Sequence, residues 1–315
     1  MSLKAPFPWF GGKSRIATEV WARFGDVPNY VEPFAGSLAV LLGRPTPPHI
    51  ETVNDKDCYL ANFWRAIQAD PNGVAQWAEW PVNEADLHAR HEWLIKQEDF
   101  RQRMHQDPDF YDVKIAGWWV WGLCQWIGHG WCAKASQQLP HLGDGGVGVH
   151  KMSLTSQQRP HLTNRGMGIA NPSASIYQWF QSLQHRLRYV RVCCGEWHRL
   201  LGPTPTIHNG ITGVLLDPPY SHKERTTNLY AIDDNVSEAV RQWAIANGDN
   251  PKLRVALCGY QGMDMPNHWE EYAWVGRGGY GNQGQGRARD NKRRERIWFS
   301  PACLRPEPQE GLFPT

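Results

Sequence analysis

Apolar positions alternate between two periods along this chain. Ile16, Val20 and Trp21 recur at helical spacing across 14–24, and 29–34 (NYVEPF) read as a short strand ending at Pro33. A small-residue turn follows (Ala35-Gly36-Ser37), and 38–42 opens another helix. Residues 49–54 read as a second strand ending in Asp55-Lys56-Asp57, and 59–68 are helical again. Strand, turn and helix repeated at this interval predict a parallel sheet with crossover helices, an α/β fold. The strand signal then stops. Residues 84–107 are charged and helical, and 113–128 are almost charge-free with Trp118, Trp119, Trp121 and Trp126. A helix apolar all round belongs in a core, here that of a helical subdomain, rather than on a base-stacking surface. The α/β pattern resumes after Asn171, with helix at 175–185, strand at 189–194 and further structure at 196–201. The apolar strand 212–216 leads into Asp217-Pro218-Pro219-Tyr220. A helix at 236–247 and strands at 253–258 and 296–300 complete it. The sheet is therefore expected to be split by an insertion between about 65 and 175.

Inside that insertion the chain repeats itself. Residues 136–149 (SQQLPHLGDGGVGV) and 156–169 (SQQRPHLTNRGMGI) share Ser, Gln, Gln, Pro, His, Leu and two glycines at an offset of twenty. Gly-Asp-Gly-Gly and Thr-Asn-Arg-Gly are turn chemistry, so each copy is expected to be a hairpin or looped arm. Such polar, basic loops suit edges that reach into a nucleic-acid groove.

At 315 residues with 41% hydrophobic and 20% charged positions, the chain has ample material for a packed core. No apolar run reaches the ~18 residues of a membrane span, and Pro6 and Pro8 interrupt any secretory leader. Seven cysteines (58, 124, 132, 193, 194, 258 and 303) form no C-x-x-C pair, so free thiols in a reducing cytoplasm are expected, with no disulfide framework and no metal site. The net charge of +2 is unevenly spread: 79–112 hold nine acids and four bases, 276–296 seven bases and two acids. One end should repel phosphate and the other attract it.

Asp217-Pro218-Pro219-Tyr220 is the most specific feature. It sets a carboxylate, rigid proline carbonyls and an aromatic face at the carboxyl edge of a parallel sheet, where open α/β sheets bind ligands. An acceptor-rich pocket with a stacking ring suits an exocyclic aromatic NH2 group. Gly36 lets the backbone approach a ligand, and Asp55 at the next strand end suits ribose hydroxyls. Lys13, after Gly11-Gly12, would bind either a cofactor carboxylate or a phosphate.

Together these residues resemble the D12 class, Dam-like DNA adenine-N6 methyltransferases. Pro8-Trp9-Phe10-Gly11-Gly12-Lys13 is similar to the family's W-x-G-G-K motif, Glu32-Pro33-Phe34-Ala35-Gly36-Ser37 to its first cofactor turn, and Asn54-Asp55-Lys56-Asp57 to its second. The motif order is that of the α group, and the repeat is similar to phage-type members. The first cofactor turn departs from the family by lacking the second glycine of F-x-G-x-G. The resemblance implies a Rossmann-like S-adenosylmethionine-dependent methyltransferase sheet with an inserted, mostly helical plus hairpin target-recognition domain. The catalytic part would comprise 1–64 and 176–305, and the insertion 65–175, helical over 70–128 with repeated loops over 129–171; 306–315 would be a tail. It further implies S-adenosylmethionine as cofactor at Trp9, Gly12, Lys13, Glu32, Phe34, Ala35, Gly36, Asp55, Glu196 and Asp217, and catalysis by Asp217, Pro218, Pro219 and Tyr220 on a flipped adenine of double-stranded DNA. DNA contacts are expected from Arg159, Arg165, His222, Lys223, Arg225, Arg287, Arg289, Lys292 and Arg293. A homodimer is left open, and the expected place of action is the cytoplasm of a bacterial or phage-infected cell, at the nucleoid. The rivals are a cytosine-N4 methyltransferase, disfavoured by Asp rather than Ser at 217, an enzyme acting on RNA or a glutamine side chain, and an inactive DNA-binding homologue.

Overall fold

The computed structural model describes residues 3–9, 12–81, 83–127, 131–132, 141–142, 148–149, 175–219, 236–274 and 294–306. Its centre is a seven-stranded sheet. β1 (Asn29–Glu32) and β2 (Ile50–Asp55) come from the N-terminal part, and β6 (Arg191–Cys194), β7 (Thr212–Leu216), β8 (Leu253–Tyr260), β9 (Glu270–Ala273) and β10 (Glu295–Phe299) from the C-terminal part. Their order is β6-β2-β1-β7-β8-β10-β9. The first five run parallel, and β10 lies antiparallel between β8 and β9. Every residue of β1 (NYVE) and β7 (TGVLL) is buried, as expected of central strands covered on both faces. They pair in the register Asn29–Thr212, Tyr30–Gly213 and Val31–Val214, and Asn29 Nδ2 donates to Thr212 Oγ1 at 3.0 Å.

Successive strand residues feed two cores, one on each face. Tyr30, Leu215, Cys258, Ile297 and Phe299 pack with α1 (Ala17–Phe24), α2 (Ala39–Leu42) and α3 (Cys58–Ala69). Val31, Val214, Leu216, Leu257 and Trp298 pack with α9 (Ser237–Asn247) through Val240 and Ala244. The first core runs on into α4 (Pro71–Ala78), α5 (Glu84–Ile95), α6 (Phe100–Gln106), α7 (Val113–Gln125) and α8 (Ile176–Leu187). Helix starts follow sequence chemistry. Asp57, Asp70, Asn83 and Asp112 each accept a hydrogen bond from an N–H of the first turn, Pro71 occupies the first turn of α4, and Ser175 and Gln178 form a capping box. Such a cap stabilises by about 1 kcal/mol.

Trp119 and Trp121 of α7 are buried, as is Trp126 just beyond it, so the tryptophan-rich helix is core, as its composition predicts. Gly117 shows how closely α7 approaches α4: a Cβ there would lie 2.3 Å from Trp77 Cβ and 2.8 Å from the Val74 carbonyl oxygen. Two arginines tie the helices to the sheet. The Arg186 guanidinium grips the buried Glu51 of β2 at 2.7 and 2.9 Å, and Arg44 reaches the same carboxylate at 3.3 Å.

Some expectations shift. The charged stretch 84–107 is two helices, because Leu94 and Phe100 both turn into the core and the chain bends between them. Strand β9 was not anticipated: EEYA is an acid-rich edge strand, with Glu270 taken by Arg23 (2.6 Å) and Glu271 by Arg296 (2.9 Å). The first copy of the repeat contains β4 (His141–Leu142) and β5 (Gly148–Val149), paired in parallel, with β3 (Trp126–Ile127) on the other side of β5. β4 and β5 run parallel rather than as an antiparallel hairpin; the rest of that copy and the whole of the second lie outside the described residues.

Candidate active site

The strand order reverses between β1 and β7, and a crevice at their carboxyl ends is where ligands bind in open sheets. β1 ends at Glu32 and continues through Pro33-Phe34-Ala35-Gly36; β7 continues into Asp217-Pro218-Pro219. Neighbouring strand ends brace this edge. The Ala35 N–H donates to the Asn54 carbonyl at 2.9 Å, Asn54 Nδ2 donates to the carbonyls of Pro33 (3.0 Å) and Gly195 (2.9 Å), and the Gly195 N–H donates to the Asp55 carbonyl at 3.1 Å. β1, β2 and β6 are thereby held in register at the crevice.

Gly36 sits at φ +47°, where a side chain is strained, and a Cβ there would fall 2.4 Å from Trp9 Nε1. The turn must be glycine because Trp9 lies across it. The Gly36 carbonyl accepts from Trp64 Nε1 at 3.2 Å and its N–H donates to Asp55 Oδ2 at 3.1 Å. Asp55 Oδ1 accepts from the Asp57 N–H at 3.0 Å. Burial pushes the Asp55 carboxyl up to about 7.

Glu32 is buried and accepts from the Tyr30 hydroxyl at 2.9 Å. Burial, reinforced by the charges of Asp217, Glu51 and Asp55, pushes it up to about 8. Lys13 crosses the edge from the N-terminal segment. Its Nζ is 2.8 Å from Asp217 Oδ2 and 5.6 Å from the centre of the Trp274 ring, and its side chain is 5% exposed against 22% for Asp217. Burial alone would lower the ammonium pKa; the charges of Asp217 and Glu295 outweigh it and hold the group protonated. Glu196 follows β6 and pairs with Lys56 at 3.0 Å, while the next residue, Trp197, stacks on Phe34 with ring centres 6.2 Å apart.

The expected residues that are described thus gather on one edge: Trp9, Gly12 and Lys13 on the N-terminal segment, Glu32 to Gly36 after β1, Asp55 after β2, Glu196 after β6, and Asp217, Pro218 and Pro219 after β7. Tyr220, His222, Lys223, Arg225, Arg159, Arg165, Arg287, Arg289, Lys292 and Arg293 lie outside the described residues. Trp197, Trp274 and Glu295 join the site without having been anticipated. Trp197 carries a weak signal, one aromatic after an acid at a strand end; Trp274 and Glu295 reach Lys13 only through the antiparallel turn-back of β10.

No described helix is long and apolar enough to cross a membrane. No curated protein matches the chain. Residues 9–114 match the family model of the D12 class N6 adenine-specific DNA methyltransferase; the match takes in Lys13, the turn after β1, Asp55 and the helices to the start of α7, and stops short of Asp217. By that match residues 9–114 are similar to the D12 class N6 adenine-specific DNA methyltransferase.

Proposed function

We propose that the chain transfers a methyl group from S-adenosylmethionine to N6 of an adenine flipped out of duplex DNA, with Asp217 as the residue that receives the amine. The observation that carries this reading is the Lys13–Asp217 ion pair at the reversal point of the sheet, 2.8 Å long. Lys13 orients the carboxylate. Asp217 then accepts one N6 hydrogen and offsets the positive charge that develops on nitrogen, and the Pro218 carbonyl accepts the second hydrogen. Tyr220 stacks on the base. A strong general base is not required, since an acceptor suffices once charge has developed.

Bound S-adenosylmethionine supplies a methyl carbon activated by a positively charged sulfur. The residues of the edge fit such a ligand. Glu32 and Asp55, whose carboxyls burial raises to about 8 and about 7, would ionise more readily beside a bound cation, and Phe34 with Trp197 offers an aromatic wall. Asp55 and Glu196 are assigned to the ribose and adenine ends, and Trp9, Gly12 and the turn to Gly36 to the rest of the cofactor. Flipping the target base costs a few kcal/mol, met by the contacts of the bound state.

Residues 65–175 are assigned to target recognition and 1–64 with 176–305 to catalysis, in α-group order with a phage-type repeat. The helices of the insertion supply a rigid base, and Arg159 and Arg165 read guanines at ~1–3 kcal/mol each if bidentate. The assignment of Arg287, Arg289, Lys292 and Arg293 to phosphate contacts is supported by their flanks: β9 ends and β10 begins at the crevice edge, where the Trp274 N–H donates to the Glu295 carbonyl at 3.3 Å. His222, Lys223 and Arg225 follow the β7 corner and are assigned to the strand beside the flipped base. Such an enzyme acts in the cytoplasm, at the nucleoid.

The test is methyl transfer from labelled S-adenosylmethionine to duplex DNA, followed by nucleoside analysis. N6-methyladenine is expected, falling at least ~10²-fold in Asp217→Ala while cofactor binding persists. Undiminished transfer in that variant, or N4-methylcytosine as product, overturns the reading. Exchanging residues 136–169 should change the methylated sequence; an unchanged target rejects the role of the repeat.

A further inference from the structure

Two cysteines and a histidine far apart in the chain meet behind the turn that carries Asp55. Cys58 opens α3, Cys194 closes β6, and His105 lies in the last turn of α6. Cys58 Sγ is 3.6 Å from Cys194 Sγ and 3.8 Å from His105 Nε2, and the three atoms all lie within 4.8 Å of one another. A tetrahedral zinc ion, with Zn–S of about 2.3 Å and Zn–N of about 2.0–2.1 Å, spaces its ligands about 3.8 Å apart for S–S and about 3.6 Å for S–N. Both closest distances fall within about 0.2 Å of those edges. We propose that Cys58, Cys194 and His105 form a zinc-binding site whose fourth position is taken by water.

The surroundings favour this ligand set. Two thiolates and an imidazole select a borderline-soft ion over magnesium or calcium. Cys58 stands in the first turn of a twelve-residue helix, where backbone N–H groups favour a thiolate. The hydrogen bond from Cys194 lowers the Cys58 thiol, with Arg101, one turn before His105, acting in the same direction; that bond raises Cys194 in turn. On binding, two Zn–S bonds form from the thiolates, any thiol protons go to solvent, and His105 joins as neutral imidazole through Nε2. No electron is transferred. His105 is exposed and Cys194 half-buried, which leaves the ion a way in.

Sequence spacing hides such a site. The free thiols are as expected, but three secondary-structure elements, rather than a C-x-x-C turn, bring the ligands together. The ion would pin α6 to the end of β6 and to the Asp55–Asp57 turn, coupling the helical insertion to the edge of the sheet. This holds whether or not the chain methylates DNA.

The test uses the reduced full-length chain. It should retain about one zinc per chain after desalting, and cobalt(II) in its place should give a thiolate charge-transfer band and the visible bands of a tetrahedral ion. Cys58→Ser and Cys194→Ser, each checked for folding by circular dichroism, should abolish the charge-transfer band. His105→Ala should weaken binding at least ~10-fold, and Cys193→Ser should leave it unchanged. A folded, reduced wild-type chain that gives no such band overturns the proposal. So does an unchanged band in the Cys58→Ser/Cys194→Ser double variant. Recovery of a Cys58–Cys194 disulfide from unreduced protein that takes up no metal after reduction overturns it too.

Discussion

The Lys13–Asp217 pair should behave asymmetrically when broken. At 2.8 Å two unit charges attract by about 6 kcal/mol at an effective dielectric constant of about 20 and by about 1.5 kcal/mol in bulk water. Lys13 is shut in while Asp217 is 22% exposed, so the pair lies between these limits. Removing one partner of a fully buried pair costs about 3–5 kcal/mol, and solvent at Asp217 reduces this. Asp217→Asn leaves the ammonium in its buried seat with Glu295 to offset it, at an expected cost of about 2–4 kcal/mol. Lys13→Met leaves a carboxylate that water can reach, at an expected cost of about 1–2 kcal/mol. The double variant should regain part of the loss, giving a coupling energy of about 2 kcal/mol. Urea unfolding followed by circular dichroism near neutral pH measures all four corners of the cycle, and methyl transfer is assayed on the same samples. A stable but inactive double variant would separate the pair's structural from its chemical role. A coupling below about 0.5 kcal/mol, or a larger loss in Lys13→Met than in Asp217→Asn, would refute this account of the site.

Gly36→Ala should lower cofactor affinity at least ~10-fold and shift the tryptophan fluorescence, since its methyl group displaces Trp9; calorimetric titration reads the first effect, and unchanged affinity would show that the turn relaxes freely. Glu32 and Asp55, raised to about 8 and about 7, keep protons in the folded state that the unfolded chain sheds near pH ~4, so both lower stability as pH rises through that window; the urea midpoint of the ligand-free protein should fall from pH ~5 to ~8, less steeply in Glu32→Gln and Asp55→Asn. Cofactor affinity should rise with pH through ~7 as Asp55 becomes a full acceptor, and Asp55→Asn should flatten that profile in calorimetry. Gly117→Val forces α4 from α7 and should cost about 1–3 kcal/mol in urea unfolding, with an intact sheet signal by hydrogen exchange.

What could be read in the chain is what local chemistry dictates. β1 and β7 are short apolar runs closed by proline and acid, and their strand ends sit next to the residues that define the site. The helices near 59–68, 113–128 and 175–185 were similarly visible, and Asp57, Asp112 and Ser175 cap them. β9 was hidden because an edge strand paired on one side has no reason to be apolar, and its two glutamates answer arginines on other elements. The break between α5 and α6 was hidden because it contains neither glycine nor proline and comes from the burial of Leu94 and Phe100. Among the site residues, strand-end acids announced themselves. The pairing of Lys13 with Asp217, and the approach of Trp274 and Glu295, depend on which strands become neighbours, and no local pattern carries that information.

The partnership of β1 with β7 also sets a timetable for synthesis. Asn29 waits 183 residues for Thr212. At about 5–20 residues per second, a translating ribosome needs roughly 10–40 s to deliver it. For that interval the nascent N-terminal unit carries an apolar edge with no partner on one side, a target for chaperones and for mispairing between neighbouring polysomes.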